Sequence, residues 1–348
     1  MPLLLEVRHT FIQLELHLSF NILTLHTCKK KKKMGIKEKK FMIISSSLSV
    51  TAYAICLHLT DGRRQRVVIN GSNSEWGEVV CGVPQGSVLG PLLFLIYIND
   101  LDSGINSDIS KFADDTKIGR LIRSDSDAKD LQADLDRLKE WTDRWLMQFN
   151  INKCRVLSVG RDNPSNRYTI DNVALGSSKY EKDLGVIVSS DLGTRKHCIE
   201  ARNKANRVLG FIFRSVKSRS PKVMLKLYLA LVRPHLDYAV QFWSPHYRKD
   251  IAQLESVQRR MTKRIQGMRD IPYEERLKKL SLHSLERRRL KGDLIEVFKW
   301  YKGFNKGDMN VVLRISSGDR TRNNGFKLEK FRFRKEMGRN WFSNRVVD

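Results

Sequence analysis

From Arg63 onward apolar and polar residues recur with regular periods, and before it they do not. RRQRVVIN and GEVVCGV are short β-prone runs separated by the turn-rich GSNS, which predicts a hairpin. The next stretch, VPQGSVLGPLLFLIYINDL, predicts a loop ending at Gly86 and Ser87, then a helix with Pro91 in its first turn, where a missing N–H costs nothing. Leu92 to Ile98 is apolar on every side, the pattern of a buried helix. ISKFADDTKIG predicts two short strands joined at a tight turn holding Asp114 and Asp115. Leu131, Leu135, Leu138, Trp145 and Phe149 then repeat at helical spacing, with Ser126 or Asp127 expected to cap the helix start. KCRVLSVG and DLGVIVS are strand-like. Beyond Thr194 the pattern turns helical, over 197–217, 221–233, 248–265 and 284–302, and the last thirty residues are charged with little period.

Charge changes this picture. The 348 residues carry 64 Lys and Arg against 38 acids, a formal net charge of +26. Such an excess repels itself unless it meets a polyanion, and nucleic acid is the first candidate, since each neutralised phosphate releases counterions. The five cysteines, Cys28, Cys56, Cys81, Cys154 and Cys198, form no C-x-x-C pair and stand beside no His cluster. That scatter points to buried, reduced thiols and an intracellular setting, nucleus or cytoplasm.

The first sixty residues read as a separate leader. Residues 1–28 are apolar without a clean period, and Lys29 to Lys33 form an unbroken lysine run. The run has two readings, a nuclear or phosphate-binding patch and the translation of an adenine-rich stretch, and composition does not separate them. FMIISSSLSVTAYAICLHL, residues 41–59, has the length of a bilayer span, but four Ser and one Thr dilute it. No membrane anchor is expected there.

Two pieces carry chemistry. Exposed aspartates in turns are commonly only solvated. The other reading of Asp114–Asp115 is a Mg²⁺ site, because that hard cation takes oxygen ligands from one or two carboxylates plus substrate phosphates. The second piece is Val83-Pro84-Gln85-Gly86-Ser87, where Gly86 allows close backbone approach to a ligand and Gln85 offers hydrogen bonds; alone it also reads as an ordinary loop before a helix.

The succession VPQGSVLGP, apolar helix, FADD hairpin, long helix, FNINKC and DLGV resembles the reverse transcriptases of non-long-terminal-repeat retrotransposons, most of all the chicken-repeat type of long interspersed element. The segments ALVRPHLDYAVQFWSPHYRKDIAQLESVQRR, IPYEERLKKLSLHSLERRRLKGDL and DRTRNNG are similar to that family's region beyond the palm, so the likeness runs from about Asp61 to near the end of the chain. The resemblance implies an α+β fold: a right-hand polymerase palm of βαββαβ type, then a mostly helical thumb. The expected divisions are 1–60 leader, 61–193 partial palm, 194–310 basic helical region and 311–348 basic tail. The implied function is RNA-directed DNA polymerisation, a nucleotidyl transfer with two Mg²⁺ ions, on an RNA template, a DNA primer and deoxynucleoside triphosphates. The resemblance makes Asp114 the principal metal ligand and Asp115 its support. Phe112 and Ala113 complete that motif. Pro84, Gln85, Gly86 and Ser87 fall in the loop lining nucleotide and template. Lys153 falls where the family often has a lysine beside the leaving group, its other reading being a surface lysine. Leu184, Gly185 and Val186 match the primer grip.

One element of the pattern is missing. The family has a further aspartate at the end of its first palm strand, bridging the metals, and no Asp precedes Asp61 here. The expectation is therefore a truncated palm lacking its first strand, with impaired catalysis, and the alternative is a catalytically dead, basic nucleic-acid-binding remnant. Residues 41–59 are the expected source of a substitute strand.

Overall fold

The computed structural model describes residues 62, 64–79, 89–145, 147–160, 163–316, 325–333 and 336–347, and the backbone of 9–17. The chain divides into two compact units. One comprises Arg8–Ser158 and Asp162–Ser178; the other comprises Lys179–Asp348 with Met1–Val7 and Val159–Arg161.

The first unit is a sheet backed by helices. In chain order its main elements are β1 (His9–His17), α1 (Leu89–Tyr97), β2 (Asp108–Phe112), β3 (Asp115–Leu121), α2 (Asp125–Arg144), β4 (Arg155–Ser158) and β5 (Gly176–Ser178). Across the sheet the order is β5-β4-β1-β3-β2, with Gln148–Phe149 also paired to β1. β1, β2, β3 and β4 are antiparallel to each neighbour, and β5 joins β4 in parallel. The chain thus reads β-α-β-β-α-β while the sheet reads 4-1-3-2. The strand expected to be absent is present at the centre, and His9–His17 supplies it. Residues 41–59 and the lysine run lie outside the described residues.

Period decides which faces are buried. Leu131, Leu135 and Leu138 of α2, fully buried, share one core with Ile118 of β3, Phe94 of α1 and Ile98 just past it. α2 starts at Ser124 rather than the expected Ser126 or Asp127. Ser124 and Asp127 cap each other: the Asp127 carboxylate accepts from the Ser124 amide (2.9 Å) and the Ser124 hydroxyl accepts from the Asp127 amide (3.4 Å). The fully buried helix expected over Leu92–Ile98 is half exposed. A helix lying on one side of a sheet hides one stripe, and Leu92 and Leu95 fall on the other. The hairpin expected near Arg63 forms as two short ladders, Arg64–Gln65 with Gly77–Glu78 and Val68–Ile69 with Ser72–Asn73.

The second unit opens with a hairpin, β6 (Tyr180–Asp183) and β7 (Val186–Ser189), and continues as helices α3 (Arg195–Ser215), α4 (Pro221–Leu227), α5 (Arg248–Lys263), α6 (Tyr273–Lys279) and α7 (Leu285–Tyr301). Leu209, Val232, Leu254, Val257 and Met261 are fully buried in its core. A polar network crosses that core. Tyr228 donates to Gln258 (2.8 Å), Gln258 donates to Tyr273 (3.0 Å), and the Leu285 amide donates to Glu255 (2.9 Å). Near the C-terminal end Arg345 pairs with the buried Asp293 at 2.9 Å, and Asn344 is buried. Cys154 and Cys198 are free and buried. Among the described residues no helix is long and apolar enough to cross a membrane.

Candidate active site

The β2–β3 hairpin closes with Phe112 paired to Asp115, leaving a two-residue turn, Ala113–Asp114. Ala113 has φ +52°, the left-handed region where a Cβ costs roughly 1–2 kcal/mol. Alternation along β3 sends Thr116 and Ile118 into the core and leaves Asp115 and Lys117 on the opposite face. Phe112 is 62% exposed beside them. Asp114 and Asp115 are half-buried. The Thr116 hydroxyl is fully buried and finds no partner among the described residues.

The central strand brings further residues to this end of the sheet. Its register sets Glu15 opposite Asp115 and Gln13 opposite Lys117, and on its other side Gln13 faces Arg155 of β4. β4 runs antiparallel to β1, so it begins where β1 ends and where the Ala113–Asp114 turn lies. Lys153, exposed, stands two residues before β4, in a turn closed by its amide on the Asn150 carbonyl (2.9 Å). Phe112, Ala113, Asp114, Asp115 and Lys153 therefore share one end of one sheet. Pro84, Gln85, Gly86 and Ser87 lie outside the described residues.

Two anchors hold the hairpin strands. Lys111 donates to Asp102 (2.7 Å) and to the Asn99 carbonyl (2.9 Å) just past α1, a cation at the negative end of a helix. The Lys111 hydrogen bond also holds the Asp102 carboxyl below its usual range. Asp134 of α2 is fully buried and accepts from the Ser107 hydroxyl (2.6 Å), the Ser107 amide (2.9 Å) and the Asn106 amide (3.2 Å), which fixes the entry into β2. Sequence reasoning missed Asp134 and Glu15. The signal for Asp134 existed: it falls on the apolar stripe of α2, between Leu131 and Leu138, where a carboxylate must be bonded to be tolerated.

The second predicted motif stands in the other unit. Leu184 (φ +44°) and Gly185 (φ +87°) form the two-residue turn of β6–β7, and Val186 pairs with Asp183. Two positive φ values are what a type I′ turn asks for, and Gly185 meets one of them without strain. Tyr238 braces the turn, its hydroxyl donating to the Leu184 carbonyl at 2.9 Å. His197, near the start of α3, accepts from the Ile187 amide through Nδ1 (3.1 Å). Burial pulls its pKa down to about 4, helped by Lys204 and opposed by Glu200.

Adjacent carboxylates at a hairpin tip fit the hard oxygen donors that Mg²⁺ takes. Among the described residues no group of three or more His, Cys, Asp or Glu could hold a metal ion.

The first unit is thus a 4-1-3-2 antiparallel sheet backed by helices, with paired aspartates at the hairpin beside its central strand. The chain belongs to the reverse transcriptase (RNA-dependent DNA polymerase) family, whose model matches residues 3–213. That match takes in β1 and begins well before Asp61. The chain is similar to a probable RNA-directed DNA polymerase from transposon X-element of Drosophila melanogaster, 28% identical over 235 residues. It is similar also to the RNA-directed DNA polymerase from mobile element jockey of Drosophila funebris, 28% identical over 237 residues. Each alignment covers 64% of this chain and 26% of the relative, so the chain spans about a quarter of the length of these curated relatives.

Proposed function

We propose that this chain carries the metal-binding half of a reverse transcriptase palm from a non-long-terminal-repeat retrotransposon of the chicken-repeat kind, and that its catalysis is slow. The observation that carries the reading is the register of β1, which sets a carboxylate-bearing residue, Glu15, opposite Asp115 beside the aspartate turn. In this reading Asp114 and Asp115 hold Mg²⁺, and Glu15 takes the place of the aspartate that the family has on its first strand. Bound Mg²⁺ supplies positive charge to the phosphate oxygens between which the bond changes. Phe112, exposed next to the carboxylates, packs against the primer end or the incoming nucleotide. Lys153 neutralises the pyrophosphate as it leaves, or hands it a proton. Pro84, Gln85, Gly86 and Ser87 line the nucleotide and template, the Leu184–Gly185–Val186 turn grips the primer, and the basic helices after Thr194 follow duplex phosphates without reading bases. The substrates are an RNA template, a DNA primer and deoxynucleoside triphosphates. No membrane partner is proposed.

Glutamate is one methylene longer than aspartate, so the attacking 3′-oxygen and the metals are held less well and the rate falls. Primer extension on an RNA template with Mg²⁺ tests this. The unchanged chain should extend slowly, Glu15→Asp faster, Glu15→Gln more slowly, and Asp114→Ala about a thousandfold more slowly or not at all. Extension indifferent to Asp114→Ala removes the proposal. The second reading, a basic nucleic-acid-binding remnant, is favoured by the formal net charge of +26. Salt-dependent RNA binding with no extension by the unchanged chain or by Glu15→Asp would select it.

A further inference from the structure

The helical unit contains a second concavity that the polymerase reading leaves unused. It has a volume of about 290 Å³ and an apolar, aromatic wall made by Phe242, Trp300, Phe331, Trp341 and Phe342, with one carboxylate, Glu296, on its lining. Pockets near this size with a few placed polar groups are the usual form of a small-ligand site. These rings, with Trp243 also on the lining, offer faces on which a planar ring stacks, a contact worth about 1–3 kcal/mol per base in nucleic-acid complexes.

The carboxylate decides which ring. Glu296 receives Lys299 on one oxygen (3.2 Å) and the Asn305 amide on the other (2.7 Å). Each oxygen keeps a second lone-pair direction, and a carboxylate only accepts. Its charge is already offset by Lys299, so the wall does not offer a cation the net negative charge it would want. What fits is a neutral planar ring with two neighbouring N–H donors on one edge. Guanine has that edge in its N1–H and 2-amino group. Adenine and cytosine each alternate a donor with an acceptor there, and uracil sets one N–H between two carbonyls. A further polar group on the lining is Thr194, whose hydroxyl oxygen is buried and takes no hydrogen bond among the described residues.

We infer that this aromatic pocket binds a single unpaired guanine base, stacked on its ring faces and selected by Glu296. The inference rests on the nucleic-acid reading of the chain only for the source of the base, either a strand or a free nucleotide.

The test uses the full chain and its own tryptophan fluorescence. Guanosine 5′-monophosphate should quench it saturably, about tenfold more tightly than the adenosine, cytidine or uridine monophosphate, the discrimination of one bidentate contact. Glu296→Gln should remove that preference while leaving weak stacking of all four. Trp300→Phe, which keeps an aromatic face, should still bind guanosine monophosphate and show a smaller signal change. A nine-nucleotide strand of uridines with one central guanosine separates the sources: binding tighter than the mononucleotide assigns the site to a strand, and equal binding assigns it to the free nucleotide. Equal affinity for all four mononucleotides overturns the inference, as does no quenching by any of them. Preference for a trimethyllysine peptide over guanosine monophosphate overturns it too. Salt-dependent binding of a long RNA, measured on the same preparation, keeps the outcomes apart. If the RNA binds and guanosine monophosphate does not, only the pocket assignment fails.

Discussion

The β2–β3 and β6–β7 hairpins both turn in two residues, yet they reach that shape by different means. At β6–β7 the sequence has a glycine at the residue with φ +87°, and Tyr238 closes over the turn with a hydrogen bond to Leu184. At β2–β3 an alanine sits at φ +52°, and the following residue is a half-buried aspartate. Both turns hold a non-glycine residue in the left-handed region, Leu184 at φ +44° and Ala113 at φ +52°, but the first is braced locally by Tyr238. The second carries backbone strain that its own residues do not relieve, and the sheet on either side must hold it. Seven register pairs with β1 and the Lys111 and Asp134 anchors do so. A strained hairpin that bears adjacent carboxylates and is held only by the sheet around it is the pattern expected of a chemical site.

This contrast can be broken at several points. The largest effect should follow Asp134→Ala, which leaves the Asn106 and Ser107 donors unmet in the core and should lower the unfolding free energy by about 4 kcal/mol in urea titrations. A loss under 1 kcal/mol would mean that the entry to β2 is not held as described. Next is the pH dependence of the helical unit. The folded pKa of His197 lies below its unfolded value of about 6.5, so its neutral form is the folded one. Its contribution is full above pH 6.5 and is lost as pH falls from there to about 4, roughly 3 kcal/mol in all. His197→Gln should flatten that part of the stability–pH curve. Gly185→Ala should cost about 1–2 kcal/mol, since the backbone is left-handed and the new Cβ would lie 3.3 Å from the Tyr238 ring. The smallest effect has the opposite sign. Ala113→Gly should raise thermal stability by the equivalent of about 1 kcal/mol, by releasing strain at the first hairpin. A drop in melting temperature would show that the strain reading is wrong.

Much of this was legible in the chain. The hairpin at 113–114, the helices beyond Thr194 and the Leu131–Leu135–Leu138 stripe follow from period alone. The β1 strand was not read, although Ile12, Leu14 and Leu16 alternate with Gln13 and Glu15. Apolar residues continue through Leu25, past Ser19 and Asn21, so a two-residue period had no sharp edge. The partner that gives β1 its place, β3, is a hundred residues away, and sequence patterning carries no record of such pairing. Glu15 stayed hidden for a second reason, since the resemblance leads one to look for aspartate. The helix start at Ser124 was missed because Ser124, Asp125, Ser126 and Asp127 crowd the same turn, and only the reciprocal bonds between Ser124 and Asp127 single out the cap. The aromatic pocket was invisible because its walls come from stretches of chain as far apart as Ile187 and Phe342.

The central claim is that the Asp114–Asp115 turn and the end of β1 meet around a divalent cation. Replacing Mg²⁺ with Fe²⁺ under ascorbate and peroxide, then mapping backbone cleavage, tests it directly. Cuts should cluster near residues 13–17 and 112–116, fade with excess Mg²⁺, and vanish in Asp114→Ala. Cleavage that persists unchanged in that variant, or that spares both segments, would contradict it.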